Sequence, residues 1–396
     1  MHKPLCLALL LAASAAHALS DSEKEMLMTT AQQAYEQQDY ATALKKWQTL
    51  AEAGDAAAQS NLAVLYYEGK GVAQDYAQAR AWWEKAAAQG DAAAQYNLGV
   101  LYANGQGVEQ DYGQARAWYE KAAAQDDVQA QYNLGLLYNN GQGVPQDINK
   151  ARVWFEKAAA QDYADAQFNL GVLYAEGQGV AQDYAQARAW YEKAAVQGDA
   201  AAQYNLGLLY YNGQGMPKDI AQAAAWYEKA AAQGHTNAQY NLGVLYANGQ
   251  GVPQDYTQAR AWYEKAAAQG DAKAQFNLGI LYNAGLGVAQ DYAQARAWWE
   301  KAAAQGDAGA QYNLGLLYGN GQGVVQDYGQ ARAWYEKAAA QGDAKAQYNL
   351  GVLYGNGQGV PKNIAQARVW WEKAAAQTGD KEAQQAAQLA LQKISQ

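Results

Sequence analysis

The chain has 396 residues, half of them hydrophobic, with a single cysteine, three histidines and a formal net charge of −9. An acidic surface repels phosphate groups, so this charge argues against a nucleic-acid partner and against binding to an anionic membrane surface. With so little cysteine and histidine, zinc sites and cysteine nucleophiles also lack the side chains that they require.

Residues 1–18 have the features of a secretory signal peptide. A short polar start that includes Lys3 precedes an apolar segment at 5–16, and small residues at 16–18 form a cleavage site. The apolar segment is too short to be a membrane-spanning helix. Cleavage removes Lys3 and Cys6, which changes the net charge from −9 to −9 − 1 = −10 and leaves no cysteine. We therefore expect a periplasmic or secreted protein that does not insert into a membrane and is stable without disulfides.

Residues 19–57 are predicted to form an N-terminal capping hairpin. Its second helix is in phase with the repeats after it, because Asp39 and Trp47 precede Asp75 and Trp83 by one period of 36 residues. Its first helix is more polar, as the exposed end of a repeat array requires.

From residue 58 to residue 381 the chain repeats one motif nine times. Alanine returns at a constant step of 36 residues, at positions 58, 94, 130, 166, 202, 238, 274, 310 and 346. A period in this range is typical of stacked supersecondary units rather than of one closed core.

The first half of each repeat predicts a helix of about three turns. In the copy at 91–126, Ala94, Leu98 and Leu101 share one apolar face, Asp91 is the expected N-cap, and Gly105 marks the end.

The second half predicts another helix, which begins at Asp111 with Gln114 in a pattern that resembles a capping box. Gly99 and Ala115 are small enough to let the two helices approach closely, while Tyr102 and Tyr119 fill the space around them. Each repeat is therefore an antiparallel helix hairpin, and the predicted fold is all-α, an α-solenoid (superhelix) of tandem hairpins. Residues 382–396 are predicted to form a C-terminal capping helix with Ala383 and Ala387 facing inward.

The repeats resemble the Sel-like repeat family of tetratricopeptide-related solenoids, of the secreted bacterial type, over about residues 31–396. One departure is that the basic residue follows the alanine of the second helix, except at Lys150-Ala151. The resemblance implies a scaffold for protein or peptide partners, with the first helices lining a concave groove. In the copy at 91–126 the matching motif is Ala94, Leu98-Gly99, Tyr102, Gly105-Gln-Gly107-Val108, Ala115-Arg116, Trp118-Tyr119 and Lys121-Ala122-Ala123.

The candidate ligand surface is a row of aromatic residues, each followed by an asparagine, on the first helices. The amides could hydrogen-bond the main chain of an extended peptide while the rings cover its side chains. Equally, the asparagines could satisfy neighbouring helices while the rings pack between repeats. The row consists of Tyr96, Asn97, Tyr132, Asn133, Phe168, Asn169, Tyr204, Asn205, Tyr240, Asn241, Phe276, Asn277, Tyr312, Asn313, Tyr348 and Asn349.

We expect no catalytic residue, metal ligand or cofactor, because nearly every polar residue recurs in most repeats. The only histidine after residue 18, His235, occupies an N-cap position and is interpreted as an exposed turn residue. The recurring arginine and glutamate of the second helix, such as Arg260 and Glu264, are interpreted as i, i+4 ion pairs.

Two other functions remain as alternatives. One is penicillin-binding or β-lactamase-like activity, as in cysteine-rich relatives, although the chain after residue 18 lacks both cysteine and a Ser-x-x-Lys motif. The other is peptidoglycan or glycan binding through a tryptophan that recurs in every second helix, although this position favours a contact between neighbouring repeats. These tryptophans are Trp82, Trp118, Trp154, Trp190, Trp226, Trp262, Trp298, Trp334 and Trp370.

Overall fold

A computed structural model describes residues 19–395, which contain 21 α-helices and no β-strand. The predicted signal peptide at 1–18 lies outside the described residues. The described residues divide into two compact units, at 19–182 and 183–395. The all-α prediction is confirmed, with consecutive helices paired within 36-residue repeats.

The first unit contains nine helices, of which α1 and α2 precede the repeats. The nine helices are α1 (Asp21–Glu36), α2 (Tyr40–Glu52), α3 (Ala56–Glu68), α4 (Tyr76–Ala88), α5 (Ala92–Asn104), α6 (Tyr112–Ala123), α7 (Val128–Asn140), α8 (Ile148–Ala160) and α9 (Ala164–Glu176).

The second unit contains twelve helices and ends in a single helix after the last hairpin. They are α10 (Tyr184–Val196), α11 (Ala200–Asn212), α12 (Ile220–Ala232), α13 (Thr236–Asn248), α14 (Tyr256–Ala268), α15 (Ala272–Ala284), α16 (Tyr292–Ala304), α17 (Ala308–Asn320), α18 (Tyr328–Ala340), α19 (Ala344–Asn356), α20 (Ile364–Ala376) and α21 (Lys381–Ser395).

The predicted caps set the ends of the helices. In α5 the Asp91 side chain accepts a hydrogen bond from the backbone N–H of Ala94, and Gly105 ends the helix with φ 68°, a left-handed conformation that suits glycine. In α6 the Asp111 side chain accepts from the backbone N–H of Gln114. Both boundaries of the sequence-derived hairpin are therefore confirmed by their cap geometry.

The buried core lies between consecutive repeats. Tyr119 and Ala122 of α6 pack in one cluster with Leu134 and Leu137 of α7, the first helix of the next repeat. In the second unit Tyr263 of α14 clusters in the same way with residues of α15. Because each core needs two repeats, a single hairpin cannot bury its own apolar face, and the repeats must stack.

Buried glutamines also connect the repeats, which the hydrophobic pattern did not predict. Gln239 is 4% exposed, and its Nε2 donates to the Ala231 carbonyl oxygen of the preceding repeat at 3.1 Å. Gln269 Nε2 donates to Gln239 Oε1 at 2.8 Å and to the Gly234 carbonyl oxygen at 2.9 Å. Equivalent pairs join Gln59 to Gln89, Gln95 to Gln125, Gln131 to Gln161, Gln203 to Gln233, Gln275 to Gln305 and Gln311 to Gln341.

This series of glutamine pairs ends at Gln347. Gln347 Nε2 donates to the Ala339 carbonyl oxygen at 3.2 Å, but its buried Oε1 has no hydrogen-bond partner among the described residues. The expected donor, Gln377, has an extended backbone with ψ 125°, and Thr378 follows it as an extra residue in the period. Helix α21 then closes the second unit with Ala383 and Ala387 buried, as predicted.

Candidate binding groove

The predicted aromatic row lies on the first helices of the repeats, where five of its rings contact a core ring of their own hairpin. Tyr96 is half-buried, and its ring centroid is 5.9 Å from that of Tyr119. In the second unit the Tyr240 centroid is 6.0 Å from that of Tyr263. These two rings therefore pack against a core ring on one side and are partly exposed to solvent.

One predicted asparagine hydrogen-bonds a tyrosine of the preceding repeat. Asn169 Nδ2 donates to the Tyr132 hydroxyl oxygen at 3.2 Å and to the Asp165 carbonyl oxygen at 3.0 Å. In four other cases burial is the first cause that raises the pKa of the tyrosine, and a polar asparagine of the next repeat opposes the rise. These pairs are Tyr96 with Asn133, Tyr204 with Asn241, Tyr240 with Asn277, and Tyr312 with Asn349.

Some asparagines of the row have no such tyrosine, because another residue stands 37 positions earlier. That residue is Ser60 for Asn97 and Phe276 for Asn313, and neither is a tyrosine. Within residues 19–395 neither Asn97 nor Asn313 makes a side-chain hydrogen bond. Phe168 likewise stands 37 positions before Asn205, but these two residues belong to different units. The row therefore contains both amides used within the fold and amides that are free.

Both units contain a cavity at the same positions of the repeat. In the first unit a cavity of about 350 Å³ has Tyr96, Val100 and Tyr119 on one side and Asn133 and Leu137 on the other. In the second unit a cavity of about 330 Å³ is lined at the equivalent positions by Tyr204, Leu208, Tyr227, Asn241 and Leu245. All of these side chains are uncharged, so each cavity suits an uncharged group.

A third cavity, of about 270 Å³, lies beside α21 and carries charge. It is lined by Tyr312, Lys345, Asn349 and Glu382, among others. Lys345 Nζ is 3.5 Å from the Asp380 carboxylate, which raises the pKa of the lysine. The ammonium group is therefore already paired within the fold.

His235 is at the predicted N-cap position but is half-buried rather than exposed. Its Nδ1 accepts a hydrogen bond from the backbone N–H of Ala238 at 3.3 Å, and its ring stacks on Tyr204 with centroids 4.5 Å apart. Burial is the main cause that lowers the pKa of His235, and the Asp199 carboxylate partly opposes it.

We expect protonation of His235 to destabilise the second unit. The lowered pKa means that the unfolded chain binds the proton more readily, so stability falls as the pH drops below about 6.5, the ordinary value for histidine. The imidazolium also cannot accept the capping bond. His235→Asp should therefore melt at a higher temperature than the natural chain, with a difference that grows between pH 8 and pH 5. A difference that is constant over this range would contradict the assignment.

Seven of the recurring tryptophans pack on a cluster of the preceding repeat, and all nine have a lysine ammonium group over the ring. Trp118 packs on the cluster that joins Trp83 of the preceding repeat to Leu98 of its own repeat. Lys121 Nζ is 3.7 Å from the Trp118 ring centroid, and all nine tryptophans have an equivalent lysine at 3.7 to 4.3 Å. The lysine covers a ring face that a sugar would need, which favours the structural interpretation.

The recurring arginine and glutamate pairs are ion pairs within one helix. Arg260 Nε is 3.4 Å from Glu264 Oε1, and Arg116 Nε is 3.5 Å from Glu120 Oε1. Both members of each pair are partly exposed, so the contribution to stability is small. This agrees with the interpretation made from the sequence.

Tandem antiparallel helix hairpins with cores shared between consecutive repeats define an α-solenoid. The Sel1 repeat family model matches nine consecutive segments, and the chain belongs to this family. The segments are residues 56–91, 92–127, 128–163, 164–199, 200–235, 236–271, 272–307, 308–343 and 344–378.

Two solved structures are similar over most of the chain. One is a protective antigen of uropathogenic Escherichia coli strains with an SLR fold, 39% identical, covering 89% of this chain and 82% of its own, with a TM-score of 0.76. The other is a Sel1 repeat protein from Oxalobacter formigenes, 36% identical, covering 78% and 89%, with a TM-score of 0.59. No curated protein matches the chain. Sel1 repeat proteins are generally scaffolds for protein–protein interaction.

Among the described residues, no helix combines the length and the apolar character needed to cross a membrane.

Proposed function

We propose that this protein is an exported, non-catalytic scaffold that binds protein or peptide partners along the first helices of its repeats. The observation that carries the proposal is the recurrence of one cavity at equivalent positions in both units. In each unit an aromatic ring of one repeat and an asparagine of the next line the cavity together. A ligand that uses several such cavities must be extended and must present side chains at intervals, as a polypeptide does.

Site-specific photo-crosslinking tests where the partner binds. A photoreactive residue at Val100 or Val244 would lie on the first helices, and one at Glu120 or Glu300 would lie exposed on the second helices. In cells that express the full chain, we expect discrete adducts from the first pair of positions and none from the second. Adducts only from Glu120 and Glu300 would place the partner on the opposite face and contradict the proposal.

The proposed location is the periplasm or the exterior of the cell, because residues 1–18 have the pattern of a signal peptide. We expect the chain recovered from the envelope fraction to begin at or near Leu19. Intact mass measurement of that chain checks this directly. A chain that retains residues 1–18 and stays in the cytoplasm would contradict export.

The enzymatic alternative makes a separate prediction. Penicillin-binding or β-lactamase-like chemistry requires an activated nucleophile, whereas the side chains that line the two uncharged cavities are tyrosine, asparagine, glutamine and aliphatic residues. We therefore expect no hydrolysis of nitrocefin above the buffer rate by the purified chain. Turnover that survives repeated purification would show that the protein is more than a scaffold.

A further inference from the structure

The net negative charge of the chain lies in its first unit. Residues 19–182 contain 21 acidic and 11 basic side chains, whereas residues 183–395 contain 17 of each. The first unit therefore has a formal net charge of 11 − 21 = −10, and the second unit is neutral. A surface with a strong excess of one charge attracts partners of the opposite charge and speeds their association.

Part of this excess comes from carboxylates at the start of the first helices α7 and α9. Asp126 and Asp127 form the turn before α7, Asp162 lies in the turn before α9, and Asp165 lies in the first turn of α9. Gln161 Nε2 donates to the Asp126 carbonyl oxygen at 3.0 Å, which places the two turns side by side. The ion pairs that form within residues 19–182 all use other carboxylates. These four carboxylates are therefore available to a partner.

The stability of the turns does not require two of these carboxylates. Asp126 and Asp162 have φ values of 61° and 60°, at a position where glycine stands in most other repeats. A left-handed conformation costs aspartate more than glycine, because glycine has no Cβ atom. Charge is thus the property that these two residues add.

The residue that begins each first helix lies against the groove tyrosine of the preceding repeat. The Tyr163 ring centroid is 5.1 Å from that of Tyr132, 31 positions earlier, and His235 stacks on its own groove tyrosine at the same spacing. Asp127 follows Tyr96 by 31 positions and caps α7. The carboxylate therefore borders the Tyr96 ring, and its charge adds to burial, the main cause that raises the pKa of Tyr96.

In the second unit the chain supplies its own cation at this place. Lys273 Nζ is 6.0 Å from the Tyr240 ring centroid, and Lys345, at the same position two repeats later, lines the cavity beside α21. The equivalent residue in the repeat after Tyr96 is Gln129, which is uncharged. Within residues 19–395 no lysine lies over the Tyr96 ring. A tyrosine ring with a neighbouring carboxylate is a favourable place for a cation.

We propose that the first unit binds a basic, extended polypeptide, and that a lysine or arginine side chain of this partner lies on the Tyr96 ring beside Asp127. This cation takes the place that Lys273 has on Tyr240 in the second unit. An uncharged side chain of the same partner enters the adjacent cavity, whose lining is uncharged. This inference rests on the proposed function, because it names the chemistry of the partner that the groove binds.

Peptide selection tests the charge of the partner. Random peptides of about twelve residues, which span about 40 Å when extended, are displayed and selected on the full chain at low salt. We expect the selected peptides to be enriched in lysine and arginine over the starting library, with an affinity that falls as salt is added. Selected peptides that are acidic or uncharged would overturn the inference. A selection that yields no peptide would contradict the proposed function as well.

Two substitutions beside Tyr96, with one matched control, test where the cation binds. Gln129→Lys supplies a cation at the position of Lys273 and should weaken binding of the selected basic peptides about tenfold, by repulsion. Asp127→Asn keeps a good N-cap residue but removes the charge, and should weaken binding about threefold. Asp111→Asn removes the same charge from the N-cap of the second helix α6 and should change binding by less than about twofold. Calorimetric titration measures the affinities, and thermal unfolding checks that each variant is folded.

Val100→Trp, which fills the cavity of the first unit, separates this inference from the proposed function. If only Val100→Trp weakens binding, the groove binds the peptide but the assigned cation site is wrong. If Asp127→Asn and Asp111→Asn weaken binding equally, overall charge attracts the peptide and the inference fails. If none of the four substitutions affects binding, both the inference and the proposed function fail.

Discussion

Replacing Gly315 with alanine is expected to destabilise the second unit strongly, although alanine is normally the better residue inside a helix. A Cβ atom at Gly315 would lie 2.4 Å from Cε1 of Tyr335, a core ring of the same repeat. The ring is enclosed and can move only by displacing α18 from α17. Overpacking of this kind costs about 1 to 3 kcal/mol or more, which exceeds the gain of about 1 kcal/mol from helix propensity.

The matched control is Gly319→Ala in the same helix. There the nearest atom to an added Cβ is the Cβ of Ala331 at 3.7 Å, an ordinary contact. We expect this change to stabilise the chain by about 0.5 to 1 kcal/mol. Thermal unfolding followed by circular dichroism, with hydrogen exchange of the α17 amides, measures both variants. Equal effects of the two substitutions would show that close packing is not the reason for glycine at position 315.

Gln239→Ala is the second change with a large expected effect. It leaves the Ala231 carbonyl oxygen without its side-chain donor and Gln269 Nε2 without one of its two acceptors. The change removes two hydrogen bonds, each of which contributes about 0.5 to 1.5 kcal/mol, so we expect a loss of about 1 to 3 kcal/mol. Loss of amide protection at the junction of α12 and α13 should accompany the lower melting temperature.

Gln347→Ala is the control that distinguishes the contribution of the bond between paired glutamines from the effect of removing one glutamine side chain. Gln347 donates to Ala339 but accepts from no residue of the described chain, so its replacement removes one hydrogen bond only. We expect a loss of about 1 kcal/mol. If both substitutions cost the same, the bonds between paired glutamines contribute nothing measurable.

Most of the fold could be predicted because its determinants are local and recur. Asp91 and Gly105 mark the ends of α5 through bonds within a few residues, so sequence alone identifies them. Gln95 was not predicted to be buried, since polarity places glutamine on the surface. Its partners are the Ala87 carbonyl oxygen, in the preceding repeat, and Gln125, just after the second helix of the same repeat. Both contacts form between different helices, so the local sequence pattern does not indicate them. The only sign of these contacts in the sequence is that glutamine recurs at the positions equivalent to 95 and 125 in most repeats.

The placement of the aromatic and asparagine row on the first helices was predictable, but the contacts of the asparagines were not. The row from Tyr96 to Asn349 lies where the period places it, on the first helices. Whether an amide can hydrogen-bond a tyrosine depends on the residue 37 positions earlier, which is Tyr132 for Asn169 and Phe276 for Asn313. This spacing brings two residues together only after the hairpins have stacked. His235 was placed correctly at a cap, but its contact with Tyr204 depends on the same stacking.

Hydroxyl-radical footprinting of the full chain, alone and with a saturating crosslink-identified partner, tests the central claim most directly. Groove binding predicts reduced oxidation of the half-buried Tyr96 and Tyr240 and of Ile280 on α15, which is 36% exposed. It predicts no change at the second-helix residues Val153 and Val369, which are 44% and 42% exposed. Protection of Val153 and Val369 with unchanged Tyr96, Tyr240 and Ile280 would contradict the account, because the partner would then bind the second helices.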